Sequence, residues 1–247
     1  MNATYIPQAI QNLKESIYMR VRHRTLLHYT GDPVVDENQL FFLLLPFLNG
    51  ESWDAELQES AVTVGIVHAS LFEHDKIQEK NATSKDQQLT VLSGDYYSGR
   101  YYEILAHTGN ILLIQKLSQG IIERCEQEIT VYEDTYRPFE QWIDGMRIIE
   151  TSLIQKFYDV YNFTHYEQVM LDSLTIARLK REFVALQNGE MTVFGRALKN
   201  NVAGVFLEDM LATEIEIHQS KLKERLNTIV LKDELKTFIQ QLGPVLK

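Results

Sequence analysis

Apolar residues recur at intervals of three and four along most of this chain, which is the spacing of one helix face. The pattern predicts an all-α protein. Nine helices are expected, near residues 4–28, 37–48, 53–79, 95–107, 110–134, 138–161, 165–187, 190–211 and 213–241. The last helix carries an apolar stripe, which indicates an amphipathic helix closing its own core. The stripe consists of Ile215, Leu222, Leu226, Ile229 and Leu235.

Helix-stopping residues separate these segments, as at Gly31-Asp32-Pro33 and at Asn188-Gly189. Ser52 is predicted to cap the 53–79 helix, because a small hydroxyl residue there precedes an acidic first turn. The polar stretch 78–88 is expected to form a mobile loop. With no long linker and no repeat of fixed period, the sequence predicts a single helical domain over residues 1–247.

Charge and cysteine content restrict the function classes. The 247 residues carry a formal charge of −10, which argues against nucleic acid or an anionic membrane surface as a partner. The most apolar run, at 41–48, is too short to span a bilayer and is predicted to be a buried helix end. Cys125 is the only cysteine, so no intrachain disulfide is possible, and we expect a cytoplasmic protein.

The segment from Val64 to Lys80 carries the strongest functional pattern. Val64, His68, Leu71 and Asp75 follow each other by four, three and four residues and therefore share one helix face. His74 and Gln78 form a neighbouring stripe. Further on, the sequence LSGD at 92–95 precedes a helical pattern, and the sequence ET occurs at 150–151 inside another.

These stretches, in this order, resemble the trans-prenyl diphosphate synthases over roughly residues 60–160. That family has a helix of the type ASLVHDDVID, a polar loop with paired arginines, a helix led by GD and a helix containing KT. Here ASLFEHDKIQ at 69–78, LSGD at 92–95 and ET at 150–151 match the first, third and last. The resemblance implies an isoprenoid-synthase-like helical bundle.

The departures from the family pattern fall on the charged positions. In the family, the outer aspartates of DDxxD bind the Mg²⁺ that holds an allylic diphosphate; the corresponding residues here are His74 and Gln78. Only the middle aspartate remains, as Asp75. The KT lysine corresponds to Glu150, whose charge would repel a diphosphate. The residues Ser84-Lys85-Asp86 stand where the family has its paired arginines.

A second aspartate-rich motif would be expected farther along the chain. Its best candidate is Glu208-Asp209, which has Ala212 where the final carboxylate should be. Adjacent acids on a helix are usually only solvated. We therefore assign no catalytic residue and no metal ligand to this chain, and direct metal binding by Asp75 is the less favoured interpretation.

This degenerate pattern resembles the small, non-catalytic component of two-subunit medium-chain prenyl synthases, the family of heptaprenyl diphosphate synthase component 1. The resemblance implies a large catalytic partner carrying two DDxxD motifs and the bound Mg²⁺. It also implies extension of farnesyl diphosphate with isopentenyl diphosphate to a heptaprenyl or hexaprenyl product for menaquinone. The isolated chain would be inactive, and it could form a homodimer.

Two groups of residues are candidates for supporting that role. Packing at a subunit interface is considered for Asp95, Tyr96, Tyr97, Arg100 and Tyr101, although Asp95 is most simply a helix N-cap and the tyrosines are core packing in the simpler interpretation. Lining of a prenyl tunnel is considered for Gly65, His68, Ala69, Leu71 and Phe72, whose simpler role is an ordinary close-packed core.

Two alternatives remain at this stage. The chain could be a non-enzymatic scaffold or prenyl-lipid-binding protein derived from a prenyl synthase. It could also be a self-sufficient synthase that uses Asp75, Glu79, Glu208 and Asp209, which predicts Mg²⁺-dependent transfer by the pure chain.

Overall fold

A computed structural model describes residues 5–77, 83–133, 135–202 and 206–243. Within these ranges the regular structure is helical, with eleven α-helices and two short 3₁₀ turns, so the all-α prediction is confirmed. The helices are α1 (Tyr5–Val21), α2 (Arg24–Thr30), α3 (Glu37–Asn49), α4 (Ala55–Asp75), α5 (Lys85–Thr108), α6 (Ile111–Ile129), α7 (Phe139–Tyr161), α8 (Glu167–Asn188), α9 (Val193–Asn201), α10 (Leu207–Thr228) and α11 (Asp233–Gln241).

The chain divides into two compact units, Met1–Leu117 and Ser118–Lys247, with the boundary inside α6. Each unit is described by itself. The expectation of a single domain over residues 1–247 stays a prediction.

In the first unit, α4 lies against α5 and α1, and α3 packs on α1. α1 presents a stripe of buried residues at helical spacing, namely Ile6, Ile10, Leu13, Ile17 and Val21. The apolar run 41–48 lies inside α3 as predicted, where Phe41, Phe42, Leu43 and Leu45 are fully buried. Gly50 ends α3 in a left-handed conformation with φ 103°, and its N–H bonds to Pro46 O.

α4 is buried on nearly all sides, since every residue from Ser60 to Leu71 is inaccessible to solvent or almost so. Gly65 permits one of its close contacts, because a Cβ at this position would lie 2.3 Å from Ile17 Cδ1. The close packing around α4 and the absence of a side chain at Gly65 therefore fix the distance between α4 and α1.

In the second unit, α8 packs against α7 and α10. Its core contains Phe139, Trp142, Ile143, Met146, Ile149, Leu179, Phe194, Leu198, Leu207 and Leu211. Asn201 closes one edge, because its Oδ1 accepts from the backbone N–H of Arg137 and from Trp142 Nε1. Of the stripe predicted near the C-terminus, Leu222, Leu226 and Leu235 are buried.

Several predicted boundaries were wrong. The helix expected over 4–28 breaks at His23, whose Nδ1 accepts from Leu26 N and starts α2. Asp54, rather than Ser52, caps α4 through a bond from Leu57 N to Oδ1 of 2.8 Å. The segment 213–241 is interrupted after Thr228, and α10 begins at Leu207. At His23 and at Asp54 a local cap overrides continuous apolar periodicity.

Replacing Gly65 with alanine should destabilise the protein by about 1–3 kcal/mol, because the new methyl group overpacks the buried contact with Ile17. Urea denaturation would measure the loss. The control is Gly99→Ala in α5, where a Cβ meets no atom within 4 Å and the helix should gain up to about 1 kcal/mol. Equal effects of the two substitutions would contradict this packing.

A second comparison tests the contact directly. Ile17→Val removes the methyl group that the new Cβ would meet, so it should recover part of the loss in the double variant. Strict additivity of the two single effects would exclude a direct contact.

Candidate functional site

The end of α4 meets the middle of α5 through small residues. Ser70 Oγ donates to Gly94 O at 2.9 Å and lies 2.8 Å from Ser98 Oγ. Gly94 lies under the ring of His74, whose Nε2 would be 2.5 Å from a Cβ on that glycine. The two segments that resemble the DDxxD and GD elements are therefore brought into direct contact.

Asp95 lies inside a helix, so its prediction as an N-cap was wrong. α5 begins at Lys85 and is capped by Ser84, whose hydroxyl accepts from Gln87 N at 3.3 Å. α5 continues through Gly94, and the absence of a side chain there leaves room for the His74 ring. Residues 85–88, expected in a mobile loop, form the first turn of α5, while 78–82 lie outside the described residues. Asp95 Oδ1 stands 3.7 Å from His74 Nε2.

The predicted remnant of the first aspartate-rich motif is only partly described. Asp75 is exposed at the last residue of α4, and Gln78 lies outside the described residues. The described donors at this helix end are the His74 imidazole and the carboxylates of Asp75 and Asp95 on different helices. Mg²⁺ prefers hard oxygen ligands. These donors do not reproduce two carboxylates four residues apart on one face, so they do not fit the family's metal site.

Sequence reasoning missed Glu73, which is completely buried between Phe72 and His74. Lys76 Nζ donates to its Oε1 at 2.6 Å, and Oε2 accepts no hydrogen bond from the described residues. Burial raises the pKa of this carboxyl, and the bond from Lys76 lowers it in part. The helical spacing of an acid and a lysine, three residues apart, was the available signal.

The five candidates for a prenyl tunnel all lie on α4. Gly65 faces Ile17 and Leu40 in the core. His68 and Ala69 are buried, Leu71 nearly so, and Phe72 is half-buried with Lys76 Nζ 5.3 Å from its ring centre. None of the five lines the pocket bordered by Tyr18 and Tyr97 or the one bordered by Ser16 and Val62. Their assignment to a tunnel stays a prediction.

The interface candidates lie along α5 and differ in exposure. Tyr97 is buried and Tyr101 half-buried, and burial raises the pKa of both phenols. Tyr96 packs on His23 with ring centres 5.5 Å apart. Arg100 pairs with Glu103 and donates from Nε to Arg20 O at 3.0 Å. These contacts are all internal to the chain, and an interface role stays a prediction.

In the second unit, Glu150 is the centre of a buried charge network. Arg178 Nη1 lies 2.8 Å and Arg181 Nη1 3.6 Å from its Oε1. Burial alone would raise the pKa of this carboxyl, but Arg181 and Arg178 outweigh burial and lower the pKa to about 2. Glu150 is therefore ionised at neutral pH, and the positive charges of these arginines balance its charge inside the protein.

The same arginine joins a second buried acid. Arg178 Nη2 lies 2.8 Å from Glu182 Oε1, and Thr192 Oγ1 donates to the Glu182 carboxylate. Gly195 approaches so closely that a Cβ would lie 2.6 Å from Glu182 Oε2. The network thus links α7, α8 and the start of α9. Arg178 and Glu182 are four residues apart on α8, a spacing that the sequence shows. Helical periodicity does not report Glu150 or Thr192, which lie outside α8.

The second-motif candidates Glu208 and Asp209 are exposed in the first turn of α10. Acids in a first turn interact favourably with the helix dipole, which is a sufficient local role. Among residues 5–77, 83–133, 135–202 and 206–243, no group of three or more His, Cys, Asp and Glu side chains could hold a metal ion.

Comparison with solved structures identifies the fold as that of the isoprenyl diphosphate synthases. A heptaprenyl diphosphate synthase from Staphylococcus aureus superposes with a TM-score of 0.71 at 12% identity, covering 97% of this chain and 96% of that one. A geranylgeranyl pyrophosphate synthase from Lactobacillus brevis gives a TM-score of 0.69 at 12% identity, covering 98% and 97%. At this identity the likeness establishes the helical fold.

The sequence comparison then defines the family. The family model for heptaprenyl diphosphate synthase (HEPPP synthase) subunit 1 matches residues 23–230, and this chain belongs to that family. The chain is 28% identical over 141 residues to heptaprenyl diphosphate synthase component 1 of Geobacillus stearothermophilus. That alignment covers 57% of this chain and 64% of the relative, which is less than two thirds of its length. No helix in the part of the chain described here has the length and apolarity to cross a membrane.

Glu150→Gln should lower the free energy of unfolding at pH 7 by about 3 kcal/mol, because two arginines lose their buried counter-charge. The folded-state pKa of about 2 lies below the usual 4.5, so the carboxylate stabilises the fold above pH 4.5 and this contribution disappears toward pH 2. The difference between variant and wild type should therefore shrink over that interval.

Urea denaturation at a series of pH values measures this difference. Glu216→Gln is the matched control, since Glu216 is exposed on α10 and should show no such pH-dependent cost. A Glu150→Gln cost that stays constant from pH 7 to pH 2 would refute the ionised, neutralised state.

Proposed function

We propose that this chain is the non-catalytic subunit of a heteromeric all-trans heptaprenyl, or hexaprenyl, diphosphate synthase. The complex extends farnesyl diphosphate with isopentenyl diphosphate and supplies the side chain of menaquinone. A large partner carries both DDxxD motifs, the Mg²⁺ and the catalytic residues. This chain supplies packing surface, and it is inactive alone.

The observation that carries the proposal is the state of Glu150. By its resemblance to the KT element, this position belongs to a lysine that contacts a diphosphate. Here the residue is an acid, buried and ion-paired with Arg178 and Arg181. A carboxylate that is ion-paired within its own chain offers no positive charge to a diphosphate substrate.

The end of α4 supports the same conclusion from the first unit. His74 is packed on Gly94 and the buried acid, Glu73, is engaged by Lys76. Diphosphate carries several negative charges, and a chain of formal charge −10 with no Mg²⁺ ligands of the family type repels it. The charge-binding groups therefore belong to the partner.

The chemistry of the complex follows from that division. Mg²⁺ on the partner assists ionisation of the allylic diphosphate, the isopentenyl double bond attacks the carbocation, and a proton is lost. Cys125 is the only cysteine of the sequence, which suits a reducing compartment, so we place the complex in the cytoplasm.

The test is prenyl transfer from labelled isopentenyl diphosphate to farnesyl diphosphate with Mg²⁺. We expect no product from the pure chain and prenyl products when a DDxxD-bearing partner, co-purified from its own cells, is present. Asp75→Ala should leave the activity of the complex unchanged, because Asp75 holds no metal in this assignment.

Two results would overturn the proposal. Activity of the pure chain, abolished by Asp75→Ala, would make it a self-sufficient synthase. Absence of activity together with absence of any co-purified DDxxD partner would assign the chain to the scaffold or lipid-binding class.

A further inference from the structure

The first unit contains a pocket of about 390 Å³ between α1, α2, the 31–33 segment and α5. Its volume is in the range of sites for small organic ligands. Val21, Leu27 and Pro33 contribute apolar surface, and Tyr97 of α5 borders it as a buried residue. Nothing in the proposed division of labour between two subunits uses this pocket.

The charged groups at its rim are unequal. The lining includes two carboxylates, of Glu15 and Asp32, and one guanidinium, that of Arg22. Glu15 Oε1 accepts a hydrogen bond from Gln11 Nε2. Neither Asp32 nor Arg22 forms a salt bridge with any residue in the described ranges. His23 also borders the pocket, but its Nδ1 accepts the bond from Leu26 N that starts α2. The rim thus carries an excess negative charge.

The two tyrosines that line the pocket, Tyr18 and Tyr97, are both affected by nearby carboxylates. Burial raises the pKa of Tyr18, and the carboxylates of Asp32 and Glu37 raise it further against the opposing effect of Lys14. Burial also raises the pKa of Tyr97; a hydrogen bond with Ser93 opposes this, and Glu73 and Asp32 add to it. Both phenols remain neutral near pH 7, so each offers an oxygen acceptor and an electron-rich ring face to a cation.

We propose that this pocket binds an organic ammonium ion with a short apolar body. The ammonium group lies at Asp32 and the oxygens of Tyr18 and Tyr97, and the apolar body packs against Val21, Leu27 and Pro33. Apolar burial supplies most of the affinity, and the unpaired carboxylate selects the charge of the ligand. This assignment is independent of the proposed synthase function.

The experiment titrates the full-length chain with three probes of equal length, n-hexylammonium, 1-hexanol and hexanoate, followed by calorimetry at low salt. Hexylammonium should bind saturably and at least about tenfold more tightly than hexanol, and hexanoate should bind most weakly. Preference for hexanoate would mean that Arg22 dominates the rim and would overturn the proposal, as would the same affinity for all three probes.

Variants locate the site. Asp32→Asn should weaken hexylammonium binding about tenfold while leaving hexanol binding unchanged, because only the charge is removed. Tyr97→Phe should weaken it less. Glu126→Gln changes an exposed acid on α6 that does not line the pocket, and it should have no effect. Equal weakening by Asp32→Asn and Glu126→Gln would show that only the overall negative charge attracts the cation, and would refute a site at this pocket.

Discussion

The first unit depends on the enclosure of α4. A helix that is apolar on every side has no solvent face, so its neighbours must approach it from several directions, and their distances are fixed by the smallest side chains at each contact. Gly65 leaves room for Ile17 of α1. On the side of α5, Ser70 bonds to Gly94 O, and Gly94 leaves room for the ring of His74. The positions of His74 and Glu73 at the end of α4 follow from these contacts.

The same constraint reaches the last turn of α4. His74 and Asp75, which resemble part of the family's metal-binding motif, lie at the end of this helix. There the His74 ring covers Gly94, and Lys76 folds back on Glu73. In the second unit, Arg178 joins Glu150 to Glu182. At Glu150 and Glu182 the buried carboxylates are thus paired with groups of the protein itself.

Periodicity was sufficient to predict an all-helical chain, because three- and four-residue spacing directly reports a buried helix face. It failed where a local cap competes, as at His23, and where glycine has a packing role inside a helix, as at Gly94. The sequence also identified Glu150 as an anomalous charge. It could not predict Arg178 as its partner, since a contact between residues 28 positions apart depends on helix packing.

The network around Glu150 restricts the side chains that this position accepts. A lysine at this position would place a further cation beside Arg178 and Arg181, with Arg124 also contributing positive charge nearby. The repulsion among buried like charges would cost more free energy than a single further substitution could restore. A lysine at this position would therefore be accommodated only after the arginines had changed. The packing of this core thus fixes the sign of the charge at position 150.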